Sequence, residues 1–191
     1  MASLNIGFLV GSISSTSINR RLSEALVKLA PQAGITLTEI PIAGLPFYSA
    51  DHDADIPAEA AEFKRAIEAV DAVVLVSPEY NRSVPGVLKN ALDTASRPWG
   101  QNSFAGKPTA VIGASIGQIA TAAGQQHLRL ILSFLDSVTM PQPEAYLQMT
   151  EGLIAEDGEV TDESTAAFLT AWLQAVSAHV TRQLAAARAA E

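Results

Sequence analysis

The sequence predicts an α/β domain: a doubly wound, five-stranded parallel sheet of order 2-1-3-4-5 in a three-layer α/β/α arrangement. Three observations lead there. Short runs rich in Val and Ile alternate with longer amphipathic stretches, the pattern of strands joined by crossover helices. One run, Ala72-Val73-Val74-Leu75-Val76, is apolar throughout, as expected of a central strand covered on both faces. A chain of 191 residues with 48% hydrophobic and 17% charged side chains is enough for one full core, so residues 1–191 are expected to form a single domain.

Each element has its own reason. Leu4 to Val10 is the first strand, and a polar loop from Gly11 to Thr16 follows it. From about Ser17 to Leu29, Ile18, Leu22, Ala25, Leu26 and Leu29 recur with the 3.6-residue period of a helix. Ile35 to Ile40 alternates as a second strand. The Pro- and Asp-rich stretch from Pro41 to Pro57 is long for a connection. A helix over about Ala58 to Ala69 leads into the third strand, Ala72 to Val76. After the loop Ser77 to Val84, a helix is expected to start at Pro85, since proline suits the first helical position. Pro108 to Gly113 forms strand four, Gly124 to Leu135 a helix, and Val138 to Met140 a short fifth strand. A long terminal helix, Thr161 to Ala190, is capped by Thr161 or Asp162.

Composition excludes several classes of function. The net charge is −8 and the twelve basic residues are scattered, which argues against a nucleic-acid partner. With no cysteine there are no disulfides, thiolate nucleophiles or Cys-ligated metals, so redox activity would have to come from a cofactor. The three histidines, at 52, 127 and 179, stand far apart, and no metal site is expected; Asp51, His52, Asp53 and Asp55 read as a solvated loop. Met1-Ala2-Ser3-Leu4-Asn5 lacks a basic n-region, and Ile6 to Val10 is too short for a signal or a membrane span. The expectation is a cytoplasmic chain with no membrane partner.

In a doubly wound sheet, ligands bind beyond the carboxyl ends of the strands, near the point where strand order reverses. The loops at that edge are Gly11–Thr16, Ser77–Val84 and Ala114–Thr121. The first reads Gly11-Ser12-Ile13-Ser14-Ser15-Thr16-Ser17-Ile18-Asn19-Arg20, where hydroxyls and free N–H groups at a helix N-terminus can hold a phosphate, with Arg20 placed to assist. The plainer reading is a loop whose hydroxyls only cap the helix, with Ser17 as N-cap. Other phosphate motifs fail: Gly106-Lys107 is followed by Pro108, and Gly11 stands alone rather than in Gly-x-Gly-x-x-Gly.

The second loop is more specific. Ser77-Pro78-Glu79-Tyr80-Asn81-Arg82-Ser83-Val84-Pro85-Gly86-Val87-Leu88-Lys89-Asn90-Ala91-Leu92-Asp93, continued by Ser96-Arg97-Pro98, resembles the NADPH-dependent FMN reductase family, flavodoxin-like proteins that include quinone, chromate and azo-dye reductases. Gly11-Ser12 with Ser17 and Asn19 matches that family's phosphate loop. The resemblance continues through Ser115-Ile116-Gly117 and Gln125-Gln126-His127-Leu128-Arg129 to Pro143-Glu144.

The resemblance implies bound FMN with NADPH or NADH as co-substrate. It places Ser12, Ser17, Ile18 and Asn19 at the phosphate. Pro78, Glu79, Tyr80 and Asn81 would lie along the ribityl chain and ring edge, and Ser115 and Gly117 at the opposite edge. Glu79 would orient rather than exchange protons, and no side chain is expected to be catalytic because the flavin carries the chemistry. His127 reads as a packed or interface residue. Two departures stand out: Ser14, where many relatives carry Arg, and Ala120-Thr121, where relatives often carry Gly-Gly.

The implied activity is two-electron, ping-pong reduction of a small-molecule oxidant: a quinone, chromate, an azo compound or free flavin. The alternative is a flavodoxin-type electron carrier without nicotinamide-dependent turnover. A homodimer or homotetramer is implied, with Gln125 to Leu135 as a contact surface.

Overall fold

The computed structural model describes residues 3–190; Met1, Ala2 and Glu191, which the single-domain expectation and the N-terminal reading include, lie outside the described residues. Strands β1 (Leu4–Val10), β2 (Ile35–Glu39), β3 (Ala72–Val76), β4 (Pro108–Ser115) and β5 (Val138–Thr139) form a parallel sheet in the order β2-β1-β3-β4-β5, as expected. Helices α1 (Ile18–Leu29), α2 (Ala58–Glu68), α3 (Gly86–Ala95), α4 (Ala122–Phe134) and α5 (Glu163–Ala190) complete it.

Side-chain alternation along the strands divides the apolar residues between two cores. Ile6, Phe8, Val10, Val74 and Ile112 face α1 and α5, meeting Leu22, Leu26, Leu169, Trp172 and Val176. Leu9, Val73, Leu75 and Val111 face the other way, meeting Phe63 and Ile67 of α2, Leu88 and Leu92 of α3, and Leu128 and Leu132 of α4. Each fully buried side chain of this kind contributes about 1.5–3 kcal/mol relative to exposure. Among the described residues, no helix is long and apolar enough to cross a membrane.

The structure adds one element that the sequence reading did not contain. Ala145–Gln148 is a sixth strand, β6, which pairs in parallel with β4 from Ile112↔Ala145 to Ser115↔Gln148, while β5 pairs only with Pro108 and Thr109. The edge beside β4 is therefore shared by two short strands in series. This second partner carries β4 to Ser115, two residues beyond the expected end. Gly113 permits the close crossing there, because a Cβ would stand 2.1 Å from the Ser77 carbonyl oxygen.

Other boundaries shift slightly. Pro85 is not the first helical residue of α3 but its N-cap (φ −58°, ψ 141°), since its extended ψ keeps it outside the helix. The helix α4 starts at Ala122, two residues before the expected start. For α5 the cap is Asp162, whose carboxylate accepts from the Thr165 N–H at 2.7 Å. Helix C-termini are capped by lysines: Lys64 Nζ donates to the carbonyls of Ala95 (2.9 Å) and Gln101, and Lys107 Nζ to those of Glu68 (3.2 Å) and Val70 (2.7 Å). Burial lowers the pKa of both ammonium groups.

Candidate binding site at the carboxyl edge of the sheet

The register places Val10 opposite Val76 and Val76 opposite Ile112, so the loops after β1, β3 and β4 leave the sheet side by side. This brings the ten expected site residues to one edge. Their individual surroundings differ.

In the first loop, Ser17 is the N-cap of α1, and its Oγ accepts from the Arg20 N–H. Ser12 is buried, with its Oγ accepting from the Ser14 N–H at 3.3 Å. The N–H groups of Ile18 and Asn19 donate to no protein acceptor among the described residues, as geometry dictates for the first turn of a helix. That turn contains no acidic side chain, so the positive end of α1 is not offset by a local carboxylate. The Asn19 side chain is fully used: its Nδ2 donates to the Ala114 carbonyl and its Oδ1 accepts from the Ala114 N–H, both at 2.9 Å. Asn19 therefore ties α1 to β4 and offers only its backbone N–H outward. Arg20, expected to assist at a phosphate, is instead gripped by Glu39 through two 3.0 Å hydrogen bonds, and this carboxylate partner raises its pKa.

The second loop folds back on itself. Tyr80 and Ser83 exchange both backbone hydrogen bonds at 3.0 Å, closing a two-residue turn over Asn81 (φ 51°) and Arg82 (φ 65°). Two successive positive φ angles are the signature of a type I′ turn; Asn suits this conformation, and Arg adopts it at a cost. Pro78 leads into the turn and Tyr80 is half exposed. Glu79 is turned inward. Its Oε2 accepts from the Gly124 N–H at 2.8 Å, in the first turn of α4, and its Oε1 lies 3.3 Å from Arg82 Nη1. A Cβ at Gly124 would press on the Glu79 side chain and the Ser83 carbonyl, each at 3.2 Å, so glycine allows the loop to sit this close. His127, on the same helix, places Nδ1 3.0 Å from Ser83 Oγ.

The third loop begins at the paired end of β4. Ser115 Oγ accepts from the Gly117 N–H at 3.2 Å, and a Cβ at Gly117 would meet nothing closer than this same hydroxyl, at 3.7 Å. Ala120 holds a left-handed φ of 49°, which glycine would adopt more easily. Thr121 is buried and accepts through Oγ1 from Gln125 Nε2 (2.9 Å), which also reaches the Ala145 carbonyl (2.8 Å). The loop's two ends are thus fixed by β6 and α4. Ser14, the other departure from the family pattern, is exposed, and its side chain hydrogen-bonds locally to Thr16.

Beside the second and third loops lies an open depression of ≈ 490 Å³, lined by residues that include Glu79, Arg82, Ser115, Ile116 and Ile119. Exposed apolar side chains occur in all three loops: Ile13, Tyr80, Ile116 and Ile119. The sequence reading assigned no role to these isoleucines, nor to Arg82. Their signal was present, since isoleucine is out of place in an otherwise polar loop beyond a strand end.

Comparison with known proteins bears on this site. A family model described as NADPH-dependent FMN reductase matches residues 4–152. A 2-hydroxy-1,4-benzoquinone reductase from a Burkholderia species is 46% identical over 177 residues, covering 93% of this chain and 96% of the relative. A quinone reductase from Pseudomonas putida is 42% identical, with 88% and 90% coverage. The structure of a flavoenzyme NAD(P)H:(acceptor) oxidoreductase from Paracoccus denitrificans superposes with a TM-score of 0.90 at 42% identity, over 94% of this chain and 98% of that one.

Proposed function

Since the chain belongs to the NADPH-dependent FMN reductase family, we propose that it reduces quinones and related small oxidants at the expense of NAD(P)H, with FMN seated on the three loops at the carboxyl edge. The net reaction is NAD(P)H + H⁺ + quinone → NAD(P)⁺ + hydroquinone. FMN, when bound, supplies the two-electron chemistry that the side chains of a cysteine-free protein lack.

The residues fit such a group. A phosphate dianion at the N-terminus of α1 would accept from the free N–H groups of Ile18 and Asn19, with the hydroxyls of Ser12 and Ser17 close by. The Pro78–Asn81 turn and the Ser115–Gly117 segment would border a flat ring. Gly117 lets backbone approach it, and Tyr80, Ile116 and Ile119 are apolar surface for it to cover. The single observation that carries this reading is the open, uncompensated N-terminus of α1 on the same sheet edge as the apolar rim.

With one open face for both substrates, NAD(P)H and oxidant bind in turn. Steady-state rates of the FMN-loaded enzyme are expected to give parallel double-reciprocal lines, and intersecting lines would overturn the single-face reading. Quinones are the favoured oxidants; chromate, azo compounds and free flavin are further candidates for the same face. We also infer a homodimer or homotetramer. Leu130 and Phe134, one turn apart on α4, and Trp99 are exposed to solvent and favour a partner copy. Light scattering that gives a monomer mass at working concentration would exclude it.

A further inference from the structure

We propose that Arg82 is a specificity-determining residue, favouring oxidants that carry a negative charge: quinones with an ionised ring hydroxyl over neutral quinones of the same shape. The inference rests on the reading that the carboxyl edge is where the oxidant is reduced.

Arg82 is the one cationic side chain among those that line the depression between the second and third loops. Glu79 is its nearest counter-charge, with Oε1 at 3.3 Å from Nη1. That carboxylate is already engaged, because its other oxygen accepts from the Gly124 N–H and its charge sits at the positive end of α4. The two side chains also differ in exposure, 8% for Glu79 and 68% for Arg82, so the carboxylate points into the protein and the guanidinium out of it. The position of Arg82 is set by the backbone: the paired hydrogen bonds of Tyr80 and Ser83 hold it at φ 65°, a conformation that arginine does not favour.

The surroundings sharpen this. The chain carries a net charge of −8, so an anion is repelled by most of the surface and a local cation marks where it can approach. Exposed Ile116 and Ile119 line the same depression and suit the face of a ring. A planar ring with an anionic oxygen satisfies both features. A hydroxyl on a quinone is a vinylogous acid, ionised at neutral pH, and a guanidinium fork can meet the ionised oxygen together with the carbonyl oxygen on the neighbouring ring carbon. Reduction adds a hydride equivalent from NAD(P)H and a proton from solvent. The product is no longer a vinylogous acid, so the oxygen held by Arg82 takes up a second solvent proton and the neutral benzenetriol leaves: hydroxyquinone anion + NAD(P)H + 2 H⁺ → benzenetriol + NAD(P)⁺.

The test compares 2-hydroxy-1,4-benzoquinone with 1,4-benzoquinone as oxidants for the FMN-loaded wild type, Arg82→Gln and Arg82→Lys. For an exposed charge, kcat/KM for the ionised quinone should fall about three- to tenfold in Arg82→Gln, recover in Arg82→Lys, and stay within about 1.5-fold for the neutral quinone. Added salt should erode the wild type's preference and leave that of Arg82→Gln unchanged. Calorimetry with the redox-inert pair benzoate and benzamide gives a readout free of turnover, with the Kd rising for benzoate alone. An equal fall for both quinones, or no fall for either, overturns the proposal. If the wild type reduces neither quinone, the reading of the site fails instead, and a benzoate affinity that depends on Arg82 still reports on the residue itself.

Discussion

Helices α1 and α4 both begin at the carboxyl edge of the sheet, and the protein treats their N-termini in opposite ways. Neither has an acidic residue in its own first turn. At α4 a carboxylate is brought in from another loop, as Glu79 accepts from the Gly124 N–H. At α1 only the neutral hydroxyl of Ser17 caps the helix, and the N–H groups of Ile18 and Asn19 stay unpaired among the described residues. An N-terminus closed by its own carboxylate is structure; one left open is capacity for an external anion. The difference separates the proposed phosphate end of the site from its scaffold, although the family motif runs through both.

Four measurements would break or sharpen that contrast. The largest effect is expected at Asn19, which fixes the open helix end to β4. Asn19→Ala removes two buried hydrogen bonds and strands the Ala114 N–H and carbonyl, so chemical denaturation should show a loss of about 3 kcal/mol. A smaller loss, under about 1 kcal/mol, would mean that the tie is dispensable. Next is Ile18→Pro. Proline is tolerated at the first helical position, and Ser17 already has the extended conformation (φ −65°, ψ 121°) that must precede it. The substitution deletes one free N–H, and the Kd for FMN, read by fluorescence quenching, should rise roughly 100-fold, about 2.7 kcal/mol. Unchanged affinity would remove α1 from the phosphate site.

Glu79→Gln should do the reverse. It keeps an acceptor near Gly124 but loses the charge, so stability should fall by about 1 kcal/mol while FMN affinity changes by less than about threefold. A large loss of affinity would mean that Glu79 serves the ligand rather than the helix. The smallest effect concerns α5, whose cap Asp162 has its pKa held below the ordinary 3.8, first by the Ser164 hydroxyl and then by the Thr165 N–H. A depressed carboxyl pKa stabilises the fold when ionised. That contribution is complete above the ordinary value and disappears as pH falls through the lowered one. Asp162→Asn should lower stability slightly at neutral pH, where the ionised cap contributes fully, and converge with the wild type as pH falls below about 4, so that the acid limb of the stability profile flattens.

What the sequence shows and what it hides follow the same division. The five main strands and the three loops were legible because apolar runs and turn residues are local signals. The cap at Ser17 was legible for the same reason. The destination of the Glu79 carboxylate was not, because its partner is an amide 45 residues away, and the Asn19 side chain is consumed by a residue 95 positions on. Arg20 reads as a phosphate ligand until Glu39 is seen beside it. Strand β6 has four residues in a segment that also contains Pro141 and Pro143, and it becomes a strand only because β5 stops after two residues and leaves β4 unpaired above it.

That division of the edge between β5 and β6 has a practical consequence for engineering. The segment 141–143, exposed where one short strand hands over to the next, is a seam in the sheet border rather than a part of its weave. Lengthening a surface loop costs only about 0.6 kcal/mol per doubling. A reporter or a tether spliced at this seam would leave β4, and the loop that grows from it, in register.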